Sequence, residues 1–282
     1  MASPRVAFQG ELGAFSEEAV HRFFGAGVKP IPRREFADVG SAVVSGEVDF
    51  GLLPIENTLA GSVVGSYDVL AGGKLEIVGE VITPIHHCVL GAPGSSVEGL
   101  KRIISHPVAL AQCTRFLRSH PEIEAVAVYD TAGAAKEVAE RSEPTQAAIA
   151  GARAADRYGL DILAENVEDR PDNQTRFLVV VPRGTEKAAG GGDRSSPRKS
   201  AVLVETRNVP GALLQILSPL ARLGVNLSKL ESRPAGEPWS YRFFMELDAD
   251  ASEPQVAEAL EEIRGTSMQL TVLGAYPKWR EE

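Results

Sequence analysis

An α/β fold in two unequal domains is predicted for this 282-residue chain by three observations. Apolar, β-branched runs alternate with helical stretches from Arg5 to Val181, the pattern of a mostly parallel sheet covered by helices. Residues 182–200 break that alternation, and 185–197 are rich in Gly, Ser and charge, as flexible linkers are. Beyond them the order becomes β-α-β-β-α-β, the split-βαβ sandwich. The length itself favours two cores. The expected divisions are 1–183, a linker over 184–199, and 200–282, with the first domain split into two lobes around a cleft.

Taken in order, Arg5-Val6-Ala7-Phe8 is a short strand. A turn carrying Gly10 and Gly13 follows, then a helix opening at Ser16, a geometry that aims free backbone N–H groups at an anion. Residues 39–45 predict a helix, and 50–55 a buried strand that delivers Glu56 and Asn57 at its carboxyl end, where ligands collect in open α/β sheets. A helix with Gly61 and Ser62 at its start is expected next. Strands follow over 76–83 and 85–90. His86 and His87 are adjacent in the second, so they point to opposite faces and cannot share a metal ion. A strand over 102–104 runs into Ser105-His106-Pro107, with the proline suited to the first position of a helix over 108–117 that carries Gln112. Then come a strand at 125–129, an alanine-rich helix at 131–141, a strand at 146–150, a helix at 152–158 and a short strand at 162–164. The polar loop Asp172-Asn173-Gln174-Thr175-Arg176-Phe177 empties into the buried run Leu178 to Val181. A hydroxyl and a guanidinium at the mouth of a rigid strand suit a substrate that carries a carboxylate and exchanges a proton. In the second domain, strands are expected at 201–204, 226–233, 239–247 and 269–273. Helices are expected at 256–263 and at 211–223, the latter with Leu213, Leu214, Leu217, Leu220 and Leu223 on its apolar face.

The composition is that of an ordinary globular protein, 44% hydrophobic and 24% charged. A net charge of −9 weighs against nucleic acid or an anionic membrane as partner. Cys88 and Cys113 lie in apolar surroundings and are expected to be small buried residues, not a disulfide or a metal site. No signal-peptide pattern and no run of membrane-spanning length is present, so a cytoplasmic location is expected.

Four segments in the first domain, Gly10 to Ala19, Pro54 to Val63, Ser105 to Cys113 and Asp172 to Phe177, together resemble prephenate dehydratase. In the second domain, Asn208 to Leu214 and Glu231 to Pro234 resemble the ACT regulatory module. The resemblance covers nearly the whole chain, and six motifs in the right order are far more specific than any one of them. The sequence departs from the family pattern at Val108, often Gln, and at Ala14, often Thr; Gln174 fills a variable slot. With Ala14 the chain is also similar to plant-type arogenate dehydratases. The resemblance implies a two-lobed, periplasmic-binding-protein-like (type II) catalytic domain joined to an α+β ACT domain. It also implies a lyase that converts prephenate to phenylpyruvate with loss of carbon dioxide and water, without cofactor or metal. The alternatives are arogenate as substrate, or a non-enzymatic sensor of amino acids and anions.

The implied reaction requires a donor at the departing hydroxyl. Thr175 is the first candidate, with Ser105, Gln112, Asn57 and Glu56 as partners by resemblance, and His106 weighted below it. The ring carboxylate gives up its charge as it leaves, so an ion pair to it would favour the ground state. The side-chain carboxylate keeps its charge. Arg176 is therefore expected to grip the side-chain carboxylate, helped by the backbone at Gly61 and Ser62 and by Phe177. By resemblance, Asn208, Gly211, Ala212, Leu213, Leu214, Glu231, Ser232 and Arg233 bind L-phenylalanine where two ACT domains meet, which implies a homodimer or tetramer.

Overall fold

The computed structural model describes residues 3–185 and 198–280. Most of the expected linker, 186–197, lies outside the described residues. The first lobe is built on the strands β1 (Arg5–Gln9), β2 (Lys29–Arg33), β3 (Phe50–Asn57), β4 (Gly61–Ser62), β5 (Leu75–Pro84) and, much later in the chain, β11 (Gln174–Pro182). Their order is β2-β1-β3-β11-β5, with β4 paired to β3. The helices of this lobe are α1 (Phe15–Phe24), α2 (Phe36–Val44) and α3 (Val64–Ala71). The second lobe holds β6 (Cys88–Gly91), β7 (Arg102–Ser105), β8 (Glu124–Ala127), β9 (Gln146–Ala150) and β10 (Asp161–Ala164), in the order β10-β6-β9-β7-β8. It is covered by α4 (Pro107–Gln112), α5 (Thr114–Ser119), α6 (Thr131–Arg141) and α7 (Ala152–Tyr158). The chain leaves the first lobe after β5 and returns through β11. Two crossovers thus join the lobes, the two-lobed, periplasmic-binding-protein-like arrangement.

Because β11 is inserted between β3 and β5, both its edges are paired. It runs antiparallel to both, with Thr175 opposite Asn57 and Arg176 opposite Glu56. Its apolar stretch Phe177–Val181 is at most 2% exposed, as expected of a central strand.

Two local expectations are corrected. The helix foreseen after Asn57 begins only at Val64, because the chain first doubles back: Gly61 and Ser62 pair antiparallel with Asn57 and Glu56. Asn57 Oδ1 accepts the backbone N–H groups of Leu59 and Ala60 and so closes the turn, while Gly61 takes φ +80°, a conformation suited to glycine. The helix foreseen over 108–117 is broken at Cys113, where the Asp169 carboxylate accepts the N–H groups of Thr114 and Arg115 and starts a second helix.

The C-terminal domain comprises β12 (Arg198–Thr206), α8 (Ala212–Arg222), β13 (Leu227–Pro234), β14 (Tyr241–Leu247), α9 (Pro254–Thr266) and β15 (Gln269–Pro277), with strand order β13-β14-β12-β15. Helices α8 and α9 pack on one face of this sheet. The buried stripe of α8 is Ala212, Ile216, Pro219 and Leu220; Leu214, expected inside, is 68% exposed. The other face of the sheet packs on the first lobe, where Ala201, Phe244, Leu273 and Tyr276 share a core with Leu53, Leu178 and Val180. Gly274 permits the closest approach: a Cβ there would lie 2.1 Å from the Ile77 carbonyl oxygen of β5. Among the described residues no helix is long and apolar enough to cross a membrane.

Candidate active site

Alternation along the strands decides which residues reach the cleft. Successive side chains of β3 and β11 point to opposite faces. Asn57 and Thr175 therefore face the space between the lobes, and their neighbours Glu56 and Arg176 face the C-terminal domain. A cavity of about 430 Å³ lies between the lobes, lined among others by Phe15, Asn57, Ser62, His87, His106, Gln112, Asp130, Thr175 and Phe177. That size suits a small metabolite. A larger groove, about 720 Å³, opens between α2 and α3, but its walls are residues such as Phe36, Val44, Val69 and Leu75, and it gathers none of the expected site residues.

A directed chain of hydrogen bonds runs to Thr175. His87 is 2% exposed, and burial pushes its pKa down against the opposing hydrogen bond to Gln112. It is therefore neutral, with Nε2–H donating to Gln112 Oε1 at 3.0 Å. Asn173 Nδ2 donates to the same oxygen at 3.0 Å. Gln112 Nε2 donates to Asn57 Oδ1 at 3.3 Å. Since Asn57 Oδ1 already accepts two backbone N–H groups, its amide nitrogen must face Thr175. Asn57 Nδ2 lies 3.0 Å from Thr175 Oγ1, 2.8 Å from Asn173 Oδ1 and 3.0 Å from the Gln174 carbonyl. Donation into a Thr175 lone pair leaves the hydroxyl proton free to point into the cavity. The arrangement makes Thr175 a donor.

His87 was not foreseen as a site residue. Its place is fixed by Glu168 on the second crossover, which accepts from His86 Nδ1 and from the His87 N–H, each at 2.8 Å. Burial opposes the Glu168 charge, but these donors hold its carboxyl below the usual range. Asp130, also unforeseen, caps α6 by accepting the Gly133 N–H at 2.6 Å. An Asp just before an alanine-rich helix is a readable N-cap signal, but its second exposure, to the cavity, is not local information. His106 lines the cavity and caps α4, with Nδ1 accepting the Val108 N–H at 3.2 Å. That contact leaves its proton on Nε2.

Three of the expected site residues lie elsewhere. Ser105 is fully buried and donates to the Ile149 carbonyl at 2.5 Å, tying β7 to β9. Arg176 does not face the cleft. Its guanidinium donates to Glu56 and Glu246 at 2.8 Å and to Glu80 at 3.0 Å, with Lys199 bound to Glu80 and Glu246. Glu56 is bonded to Arg176 and Lys229; burial works against its charge, yet these cations hold its pKa below the usual range, so it is not an acid at neutral pH. Gly61 and Ser62 do line the cavity, but as a strand and not as a helix N-terminus. Among the described residues, no group of three or more potential ligands could hold a metal ion.

A family model described as prephenate dehydratase matches residues 6–185. The chain belongs to the prephenate dehydratase family. An ACT-domain model matches residues 200–265. A bifunctional chorismate mutase/prephenate dehydratase of Stutzerimonas stutzeri is 40% identical over 97% of this chain and 73% of its own length. An arogenate dehydratase/prephenate dehydratase of Arabidopsis thaliana, described as chloroplastic, is 36% identical over 97% of this chain and 72% of its own. Among solved structures, a prephenate dehydratase in complex with L-Phe from Arthrobacter aurescens superposes with a TM-score of 0.89, at 34% identity, over 97% of this chain and 90% of that one. Another, described as GqqA, a novel type of quorum quenching acylases, gives 0.87 at 36% identity over 97% of both chains.

In this member of the prephenate dehydratase family the ACT domain is docked on the first lobe. Glu231 accepts from Ser62 Oγ at 2.6 Å, and Arg233 lies 3.2 Å from Asp68. Both face the lobe, whereas Ser232 between them is exposed on β13, an edge strand. Asn208 donates to the Trp239 carbonyl at 3.2 Å, and Gly211, at φ +81°, has open space where a Cβ would stand. Ala212 is buried at the start of α8 and Leu213 half-buried, beside exposed Val209, Leu214 and Trp239.

Proposed function

We propose that the cleft catalyses the decarboxylative dehydration of prephenate to phenylpyruvate. The observation that carries this reading is the Thr175 hydroxyl in the cavity, with a hydrogen bond from Asn57 directing its proton outward. In the reaction the bond from the ring to its carboxylate breaks and carbon dioxide departs. The electron pair enters the ring, the bond to the para hydroxyl breaks, and Thr175 gives the leaving oxygen a proton that solvent later restores. Asn57, Gln112 and His87 hold Thr175 as a donor, and Phe177 forms an apolar wall. The cavity has no lysine or arginine among its described lining residues. That suits the argument that a strong ion pair to the departing carboxylate would retard its loss.

The second part of the reading is control. L-Phenylalanine would bind near Asn208, Gly211, Ala212, Leu213 and Leu214, where a second ACT domain pairs along the exposed edge β13. The protein would then act as a homodimer or tetramer in the cytoplasm. The link to the cleft is short: Arg176 and Glu56, gripped by the ACT domain, are chain neighbours of Thr175 and Asn57. The test is turnover: purified protein given prephenate should form phenylpyruvate, with the rate falling when phenylalanine is added. Absence of product would reject the reading.

A further inference from the structure

We propose that Glu231 is a positioning residue of the cleft: it ties the cavity wall at Ser62 to the ACT domain, and through it β13 carries effector binding to that wall. This rests on the reading above and names the route of its control. Side chains alternate along β13, so that Lys229, Glu231 and Arg233 turn toward the first lobe while Ser228, Leu230 and Ser232 are exposed. The three inward side chains meet three successive elements. Lys229 binds Glu56 at the end of β3, Glu231 accepts from Ser62 Oγ of β4 at 2.6 Å, and Arg233 lies 3.2 Å from Asp68 of α3.

The stretch gripped in this way contains one wall of the cavity, formed by Asn57, Ala60, Gly61, Ser62 and Val63. Of the three gripped residues, Ser62 is the one that lines the cavity itself. Strand β4 is two residues long and pairs with β3 alone among the described residues, so the bond to Glu231 is its tie on the side of the ACT domain. An O–H···O⁻ bond of that length is charge-assisted and holds the hydroxyl in one direction. The turn before β4 does not depend on this tie, because Asn57 is fixed by Leu59, Ala60, Asn173 and Gln174. Loss of Glu231 therefore loosens the wall and leaves the bond from Asn57 to Thr175 in place. Within its own sheet β13 pairs with β14 alone among the described residues, and the register shifts between Leu227 and Lys229. Its other edge is open. A second ACT domain joined there, with L-phenylalanine bound, displaces the strand, and the displacement reaches Ser62 through a single side chain.

The test compares the wild-type chain with Glu231→Ala, Glu231→Gln and the double variant Glu231→Ala/Ser62→Ala. Prephenate turnover is measured with and without phenylalanine, and phenylalanine binding by calorimetry. Glu231→Ala should raise KM for prephenate about fivefold or more while kcat stays within about threefold of wild type. It should bind phenylalanine as the wild-type chain does and lose most of the inhibition. Glu231→Gln, whose amide oxygen still accepts the Ser62 proton, should restore both KM and inhibition. The double variant should have the KM of Glu231→Ala, because both changes cut one bond. An unchanged KM in Glu231→Ala, a Gln variant as impaired as the Ala variant, or inhibition lost only because phenylalanine no longer binds would overturn the inference. So would a wild-type chain that turns over prephenate but does not respond to phenylalanine. A wild-type chain without turnover would reject the dehydratase reading itself.

Discussion

Replacing Thr175 by valine isolates the proton that the hydroxyl supplies. Valine keeps the volume and the β-branched shape that suit β11. The structural cost is small, because the Asn57 amide nitrogen, 3.0 Å from Thr175 Oγ1, retains Asn173 Oδ1 at 2.8 Å and the Gln174 carbonyl at 3.0 Å. Its two hydrogens stay satisfied, so stability should fall by no more than about 1 kcal/mol. The catalytic cost is larger. Loss of a positioned acid typically slows a reaction by about 10²- to 10⁴-fold, equivalent to about 2.7–5.4 kcal/mol of barrier. Steady-state phenylpyruvate formation, with a parallel urea titration, separates the two effects. The expected result is a kcat lowered by at least about a hundredfold in a protein that unfolds at nearly the wild-type midpoint. A folded Thr175→Val protein within tenfold of wild-type kcat would refute the assignment.

Three further outcomes follow from named contacts. Glu246→Gln removes a carboxylate that binds both Arg176 and Lys199 where all three are buried, so unfolding free energy should fall by about 3 kcal/mol or more, measured by denaturant titration. His87 has a folded pKa below its unfolded value near 6.5, so the unfolded chain takes up the proton first. Its contribution is therefore fully present above about pH 6.5 and is lost as pH falls below that, and His87→Gln should flatten this part of the stability–pH curve. Gly211→Val places a Cβ at φ +81° on the proposed effector site, and should abolish inhibition by phenylalanine while basal turnover persists, checked by dose–response with and without effector.

That Thr175, Asn57 and Gln112 meet at one cavity was legible because each lies where the sequence signals a loop or helix beside a strand end. The error at Arg176 has one physical source. Alternation along a strand separates Thr175 from Arg176 and Asn57 from Glu56, so one pair faces the cleft and the other cannot, whereas His86 and His87 precede β6 (Cys88–Gly91) and lie outside any strand. The destination of Arg176 and Glu56 was not readable locally: Glu246 and Lys199 stand far along the chain and meet Arg176 only when the ACT sheet docks. The docked face carries a buried charge cluster directly behind the strands that bear Asn57 and Thr175. Ser105 was expected beside Thr175, but its hydroxyl is taken by the Ile149 carbonyl on a strand that comes later in the sequence. The two-lobed fold itself followed from strand and helix alternation. The insertion of β11 between β3 and β5 did not, because pairing order is a long-range property.

The most direct test of the central claim is a crystal structure of the slow Thr175→Val variant holding intact prephenate. The departing hydroxyl should lie in contact with residue 175, between Asn57 and Phe177, with the ring in the cavity between the lobes. Prephenate bound with that hydroxyl away from residue 175, or seated in the groove between α2 and α3, would contradict the account.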